Sequence, residues 1–137
     1  MYRAHTVSVA VAVSPQRAYA YIADPANLPA WASGLVKSIE KRGDEWIAQT
    51  TLGQARFRFA PFNELGVLDH DVELAEGKFH NPMRVVPNGR GCEVLITALQ
   101  VPGISDAQFS GDLEIVRRDL GTLRDILERM HGDSTNP

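Results

Sequence analysis

Between Val67 and Leu99 apolar and polar residues alternate, and the dipeptides Glu76-Gly77 and Asn88-Gly89 cut the alternation into three strands. Asn-Gly favours a two-residue hairpin loop because both positions tolerate positive φ. Centring a loop on each dipeptide sets Asp69 opposite Arg84, Arg84 opposite Glu93 and Glu73 opposite His80, a charge-complementary face. The other face collects Leu68, His70, Val72, Leu74, Phe79, Asn81, Met83, Val85, Cys92, Val94, Ile96 and Ala98. It is apolar except for His70 and Asn81. Such a face needs a cover, and its two polar side chains need partners or a ligand, because burying them unpaired is costly.

The same period of two marks His5 to Val13 as a half-buried strand. Ser14-Pro15 then caps and opens a helix through Ala18, Tyr19 and Ile22, which Asp24-Pro25 stops, restarting a short second helix over 25–32. Turns at Gly43-Asp44 and Gly53-Gln54 divide the next stretch into three more strands. They align Ile39, Ala48 and Phe59 in one row, Leu35, Leu52 and Ala55 in another, and Lys37, Thr50 and Phe57 in a third. The reverse face, with Ser38, Gln49, Arg58, Val36, Thr51 and Arg56, reads as solvated. Phe62 and Leu65, in the loop from Pro61 to Gly66, are expected to tuck under the sheet.

After Leu99 the period changes to that of a helix. Ser105 or Asp106 caps it, and Phe109, Leu113, Val116, Leu120, Leu123, Leu127 and Met130 form one apolar stripe ending at about Met130. Glu114–Arg118, Arg124–Glu128 and Asp125–Arg129 are the expected i,i+4 pairs on its wet side. Residues 1–131 therefore read as a single domain and 132–137 as a frayed polar tail.

The expected architecture is α+β. A seven-stranded curved antiparallel sheet wraps around a long C-terminal helix, with two short helices after the first strand. At 137 residues the chain is long enough for one core, or for a core with a cavity in it. A net charge of -3 with scattered Lys and Arg gives no footprint for nucleic acid. One cysteine, Cys92, excludes an internal disulfide framework, and no apolar run approaches the ~20 residues of a membrane span. The expectation is a cytoplasmic protein without a cofactor, whose partners are a hydrophobic small molecule and, at most, a second copy in a homodimer.

Three local stretches carry a family resemblance: Val-Ser-Pro-Gln-Arg-Ala-Tyr-Ala-Tyr-Ile at 13–22, Asp-Pro-Ala-Asn-Leu-Pro-Ala-Trp at 24–31 and Val-Arg-Arg-Asp-Leu at 116–120. With the element order, they make the chain resemble the helix-grip superfamily of START lipid-transfer domains, birch-pollen allergens and polyketide cyclase/dehydrase-like proteins. It looks most like the small bacterial members of the cyclase-like branch. The resemblance spans essentially the whole chain. It implies a cavity for hydrophobic small molecules between the concave sheet and the long helix.

The candidate ligand-binding residues are His70, Asn81, Met83, Trp31, Trp46, Thr50, Phe57, Phe59, Val94, Phe109, Leu113 and Val116. This lining suits an apolar or aromatic ligand oriented by a few polar groups. His70 and Asn81 lie diagonally across adjacent strands, placed to bind a carbonyl or hydroxyl; alternatively His70 donates to the backbone and fills core volume. His70 and Asp112 are the candidate proton-transfer groups, while Asp119 reads as a cap or ion-pair partner. Asp69-His70-Asp71 is not a metal triplet, because alternation points His70 away from both aspartates.

Three functions follow as expectations. The chain binds or carries a hydrophobic or aromatic small molecule, polyketide-like or lipid-like. Alternatively it is a cyclase, aromatase or dehydratase, or a protein-interaction module of the chaperone-activator type.

Overall fold

The structure, a computed structural model, describes residues 1–135, with side chains described for 1–131. The expected frayed tail at 132–137 therefore lies outside the residues whose side chains are described. The elements run β1 (Arg3–Val11), α1 (Pro15–Ile22), α2 (Leu28–Trp31), β2 (Val36–Arg42), β3 (Glu45–Thr50), β4 (Gly53–Phe59), β5 (His70–Leu74), β6 (Gly77–Asn81), β7 (Met83–Asn88), β8 (Gly91–Gln100) and α3 (Asp106–Thr135). Local chemistry sets the early breaks. Ser14 Oγ accepts from the Arg17 N–H, with Pro15 at the first helical position. Asp24 Oδ1 accepts from the Ala26 N–H at 3.0 Å and opens a 3-10 turn at Pro25–Asn27.

The described residues form eight strands rather than seven, in two antiparallel sheets ordered β1-β8-β7 and β2-β3-β4-β5-β6. Pro82 accounts for the difference. A strand through proline loses a ladder donor, and at Pro82 the chain leaves its pairing with β5 and takes up pairing with β8. Asp69 holds the corner: Oδ1 accepts from the Met83 N–H at 2.8 Å and pairs with the Arg84 guanidinium. The Thr97 N–H donates to Pro82 O at 2.9 Å, so the sheets meet along one curved wall.

The β2–β3 hairpin turns at Gly43-Asp44 with Ile39 facing Ala48, as expected, and the other three hairpins differ from the sequence expectation by even numbers of residues. His70 faces Asn81, Asp71 faces His80 and Glu73 faces Lys78, because the loop is Ala75-Glu76. Arg84 faces Leu95 and Val86 faces Glu93, around a Gly89-Arg90 loop with Gly89 at φ 59. Trp46 faces Phe57 and Ala48 faces Ala55, around Thr51-Leu52. An even slip preserves which face each residue takes, so the apolar face is as expected. Two residues depart from it: Leu52, expected in an apolar row, lies in the turn and is 62% exposed, and Val36, read as solvated, is 1% exposed. An irregularity in pairing between Val36 and Ser38 gives β2 one extra residue and turns Val36 inward.

Helix α3 lies chiefly along β1, with β8 and α2 as its other main neighbours. Phe109, Leu113, Leu120, Leu123 and Leu127 are buried, but Met130 is 57% exposed, so the packed stripe ends one turn early. The charged pairs also differ: Glu114 meets Arg117, Arg124 meets Asp125, and Glu128 Oε2 accepts from the Ala12 N–H at 2.8 Å. No described helix is long and apolar enough to cross a membrane.

The loop after β4 departs from expectation. Phe62 and Leu65 are 77% and 81% exposed rather than tucked under the sheet. Asn63 explains why. Its side chain bonds to Pro61 O, Val67 O and the N–H groups of Leu65 and Val67, and its own N–H donates to Tyr19 Oη. These bonds hold the loop in a shape that leaves both neighbours outside. Gly66 closes it at φ 73, where a Cβ would lie 2.2 Å from Val85 O. Gly66→Ala is expected to destabilise the fold by more than about 1 kcal/mol, read as a lower urea midpoint; an unchanged midpoint would contradict this account of the loop.

Candidate functional site

Alternation and register bring two rows of side chains together on the inner face of the five-stranded sheet. One row runs Trp46, Phe57, Val72, Phe79 across β3 to β6, and the next runs Phe59, His70, Asn81 across β4 to β6. His70 and Asn81 are directly opposed rather than diagonal. His70 is 6% exposed and stacks on Phe59 at 4.8 Å between ring centroids and on Phe57 at 6.4 Å. Its Nδ1–H donates to Leu68 O at 3.0 Å, which leaves Nε2 as the ring's acceptor. Burial lowers the His70 pKa from its ordinary 6.5, opposed by the bond to Leu68 and the Asp69 charge. The imidazole is therefore neutral at pH 7.

This row has an opening beside it. β3 pairs with β4 only as far as Trp46 with Phe57, whereas β4 continues to Phe59. A cleft of about 250 Å³ sits at this gap, with Trp46, Phe57 and Phe59 as its apolar wall and Ala23 and Pro25 from the helical segment across it. Asp44, Glu45, Arg56 and Arg58 stand around it. Arg56 is tied to Glu45 at 3.3 Å and to Glu73 at 3.9 Å. Lys41 Nζ lies 6.0 Å from the centroid of the half-buried Trp46 ring.

The other candidates are placed elsewhere. Met83 and Val94 are fully buried on the three-stranded sheet, and Phe109 and Leu113 are buried on α3, with Val116 half-buried. The Arg3 guanidinium sits 5.4 Å from the Phe109 centroid. Thr50 is not in the lining row: it ends β3, where Oγ1 donates to Gly53 O at 2.6 Å and accepts from the Leu52 N–H at 3.0 Å. Trp31 is 4% exposed on α2, and its indole N–H is buried with no protein partner. Val72, Phe79, Ala23 and Pro25 were absent from the sequence candidates; the corrected hairpin registers supply the first two, and the Asp24-Pro25 break signals the others.

Asp112 is exposed near the start of α3 with its carboxyl raised by partial burial, and no described contact joins it to His70. Asp119 is a positioning contact: 8% exposed, it accepts from the Gly34 N–H at 3.3 Å and ties α3 to the segment before β2. Burial raises its pKa, opposed by that bond and by the Arg118 and Lys37 charges. Asp71 bonds His80 at 2.7 Å on the outer face, and its pKa is lowered first by that bond. Asp69, His70 and Asp71 thus point to opposite faces, as alternation requires. Burial pushes the Cys92 thiol up to about 11, so it behaves as a small apolar group.

A family model described as polyketide cyclase / dehydrase and lipid transport matches residues 3–130. No curated protein matches the sequence. Among solved structures, an uncharacterised protein from Bacillus thuringiensis aligns with a TM-score of 0.73 at 14% identity, covering 91% of this chain and 98% of its own. Ara h 8.0201 aligns at 0.66 with 12% identity, covering 93% and 98%. Norcoclaurine synthase of Thalictrum flavum, a point mutant bound to a transition-state analogue, aligns at 0.66 with 14% identity, covering 95% and 96%. These likenesses show the α+β fold of curved antiparallel sheet and C-terminal helix.

Two pH responses follow. The folded state resists protonating His70, so the unfolded chain takes up that proton first; the stability held above about pH 6.5 is lost as pH falls below it. Urea midpoints of the wild type are expected to drop between pH 7.5 and 5, and those of His70→Phe to drop less; parallel curves would refute a buried neutral imidazole. For Asp119 the sign is opposite. A raised carboxyl stabilises the fold only in its protonated form and loses that contribution as pH rises through the folded pKa. Asp119→Asn, which keeps an oxygen for Gly34, is expected to match or exceed wild-type stability at pH 7, the difference narrowing toward pH 4.

Proposed function

The chain belongs to the polyketide cyclase / dehydrase and lipid transport family, and from that premise we propose that it binds a hydrophobic or aromatic small molecule against the inner face of β3 to β6. The observation that carries this reading is the row Phe59, His70, Asn81 beside the row Trp46, Phe57, Val72, Phe79. Aromatic and branched side chains supply apolar area of the kind that ligand sites use, with few polar groups to set orientation. Neutral His70 offers an acceptor at Nε2, and the Asn81 amide offers both a donor and an acceptor. A ligand with an apolar ring system or acyl body and one hydroxyl or carbonyl fits this set. The cleft beside Phe57 and Phe59 is the proposed entrance, with half-buried Trp46 at its edge.

A second reading is favoured by one observation, the depressed pKa of His70. A general base must be unprotonated at working pH, and a buried neutral imidazole with a free Nε2 meets that condition. Under this reading the site performs proton transfer at an activated carbon of a carbonyl compound, as cyclase and dehydratase chemistry requires. Asn81 then orients the oxygen.

The test uses 2-naphthol and naphthalene as probes, since they differ by a single hydroxyl. Both are expected to raise the melting temperature, because a ligand selective for the folded state stabilises it. 2-Naphthol is expected to bind several-fold more tightly, the worth of one hydrogen bond of about 0.5–1.5 kcal/mol. His70→Phe should abolish that preference while leaving naphthalene binding intact. Absence of any shift with either compound at millimolar concentration would defeat the binding reading. Turnover of a carbonyl substrate that survives His70→Phe would defeat the base reading.

A further inference from the structure

Of the four end strands, β6 and β7 meet at the Pro82 corner, and the outer ends β1 and β2 are built differently. β2 is irregular at Lys37 and carries Lys37, Lys41 and Arg42, the charges and bulge that blunt an edge against strand addition. β1 has no such irregularity, and its one charged residue is Arg3 at its start. Its nine residues, Arg3–Val11, pair with β8 in unbroken register, and β1 contains no proline, lysine or acidic residue.

The orientation of its backbone can be read from two contacts. A Cβ on Gly91 would lie 2.3 Å from Val11 O, so the Val11 carbonyl faces β8. Alternation then directs the N–H and C=O groups of Thr6, Ser8 and Ala10 to the free side. Ala12, next in that series, shows what this side accepts: its N–H is met by the Glu128 carboxylate at 2.8 Å.

A groove of about 330 Å³ follows the same edge. Thr6 to Val9 line one side, and Arg117, Gly121 and Arg124 of α3 line the other. Consecutive strand residues point to opposite faces, so a groove lined by four in a row runs along the edge and not over one face. Gly121 presents no side chain to narrow it. Arg117 is held by Glu114 at 2.5 Å and lies 3.2 Å from His5 Nε2, while Arg124 meets Asp125 at 3.1 Å. All four of those charged side chains are over 40% exposed, and such pairs contribute little and exchange readily.

We propose that β1 and α3 form a docking groove for an extended peptide segment bearing alternating carboxylates, which adds as a strand to the free edge of β1. Main-chain bonds to Thr6, Ser8 and Ala10 supply the pairing, and Arg117 and Arg124, two helical turns apart, receive the carboxylates. A second copy of this chain is the poorer occupant. Antiparallel pairing of two β1 strands would set Arg3, His5, Arg117 and Arg124 of both copies around one seam with no acid from either strand.

The test is made on the whole chain with an N-acetylated octapeptide of alternating Val and Glu as probe. Fluorescence polarisation is expected to show binding that weakens with salt, falls at least tenfold in Arg117→Ala/Arg124→Ala, and vanishes when alternate peptide amides are N-methylated. Amide exchange is expected to slow at Thr6, Ser8 and Ala10 in the complex. The proposal is overturned if the Val–Lys octapeptide binds equally well, if protection maps to β3–β6 instead, or if sedimentation without peptide shows a dimer that already shields β1.

Discussion

Asp69 is the residue on which the wall of the molecule turns. One carboxylate oxygen takes the Met83 N–H and the Arg84 guanidinium where the chain leaves one sheet for the other. Pro82 makes that departure necessary and Asp69 makes it stable, since a backbone N–H displaced from a ladder must find another acceptor. The bend curves two sheets into one concave surface. Without the bend, α3 along β1 and the aromatic row on β3 to β6 would not face a common interior.

The pattern of the sequence identified the faces better than the pairs. Alternation alone puts Leu68, His70, Val72, Met83, Val85, Cys92 and Val94 inside, and all are buried. The turns were located to within a residue or two, and because a turn shifted by one or two residues slips the pairing by two or four, most of the inner and outer sets survived while the partners changed. Asp69 still meets Arg84, yet through the corner and not through a β5–β7 ladder. What escaped was chemistry that local pattern does not encode. The irregularity at Lys37 inverts Val36, Pro82 splits one strand into two, and five hydrogen bonds around Asn63 outweigh the pull of Phe62 and Leu65 toward the core.

The candidate site shows the same division. Parity was enough to point His70 and Asn81 inward and to separate them from Asp69 and Asp71. It did not say that they are directly opposed, nor that His70 lies stacked on Phe59 with Nδ1 committed to Leu68. Thr50 was misplaced because a four-residue slip in the β3–β4 hairpin moved it from opposite Phe57 to the end of β3, opposite Gly53. The cleft depends on β3 ending short of β4, a mismatch of strand lengths that no residue type announces.

The outer ion pairs carry one more consequence. Arg56 with Glu45 and Glu73, Asp71 with Lys78 and His80, and Asp69 with Arg84 clamp neighbouring strands from the side opposite the aromatic rows. Alignment is thus guarded by one set of side chains while the aromatic rows are another, and the two sets share no atoms. An inner residue can be exchanged without unfastening the strands that present it. Such a scaffold is free to vary its inner face while keeping its shape, in accord with a shape retained at 14% identity.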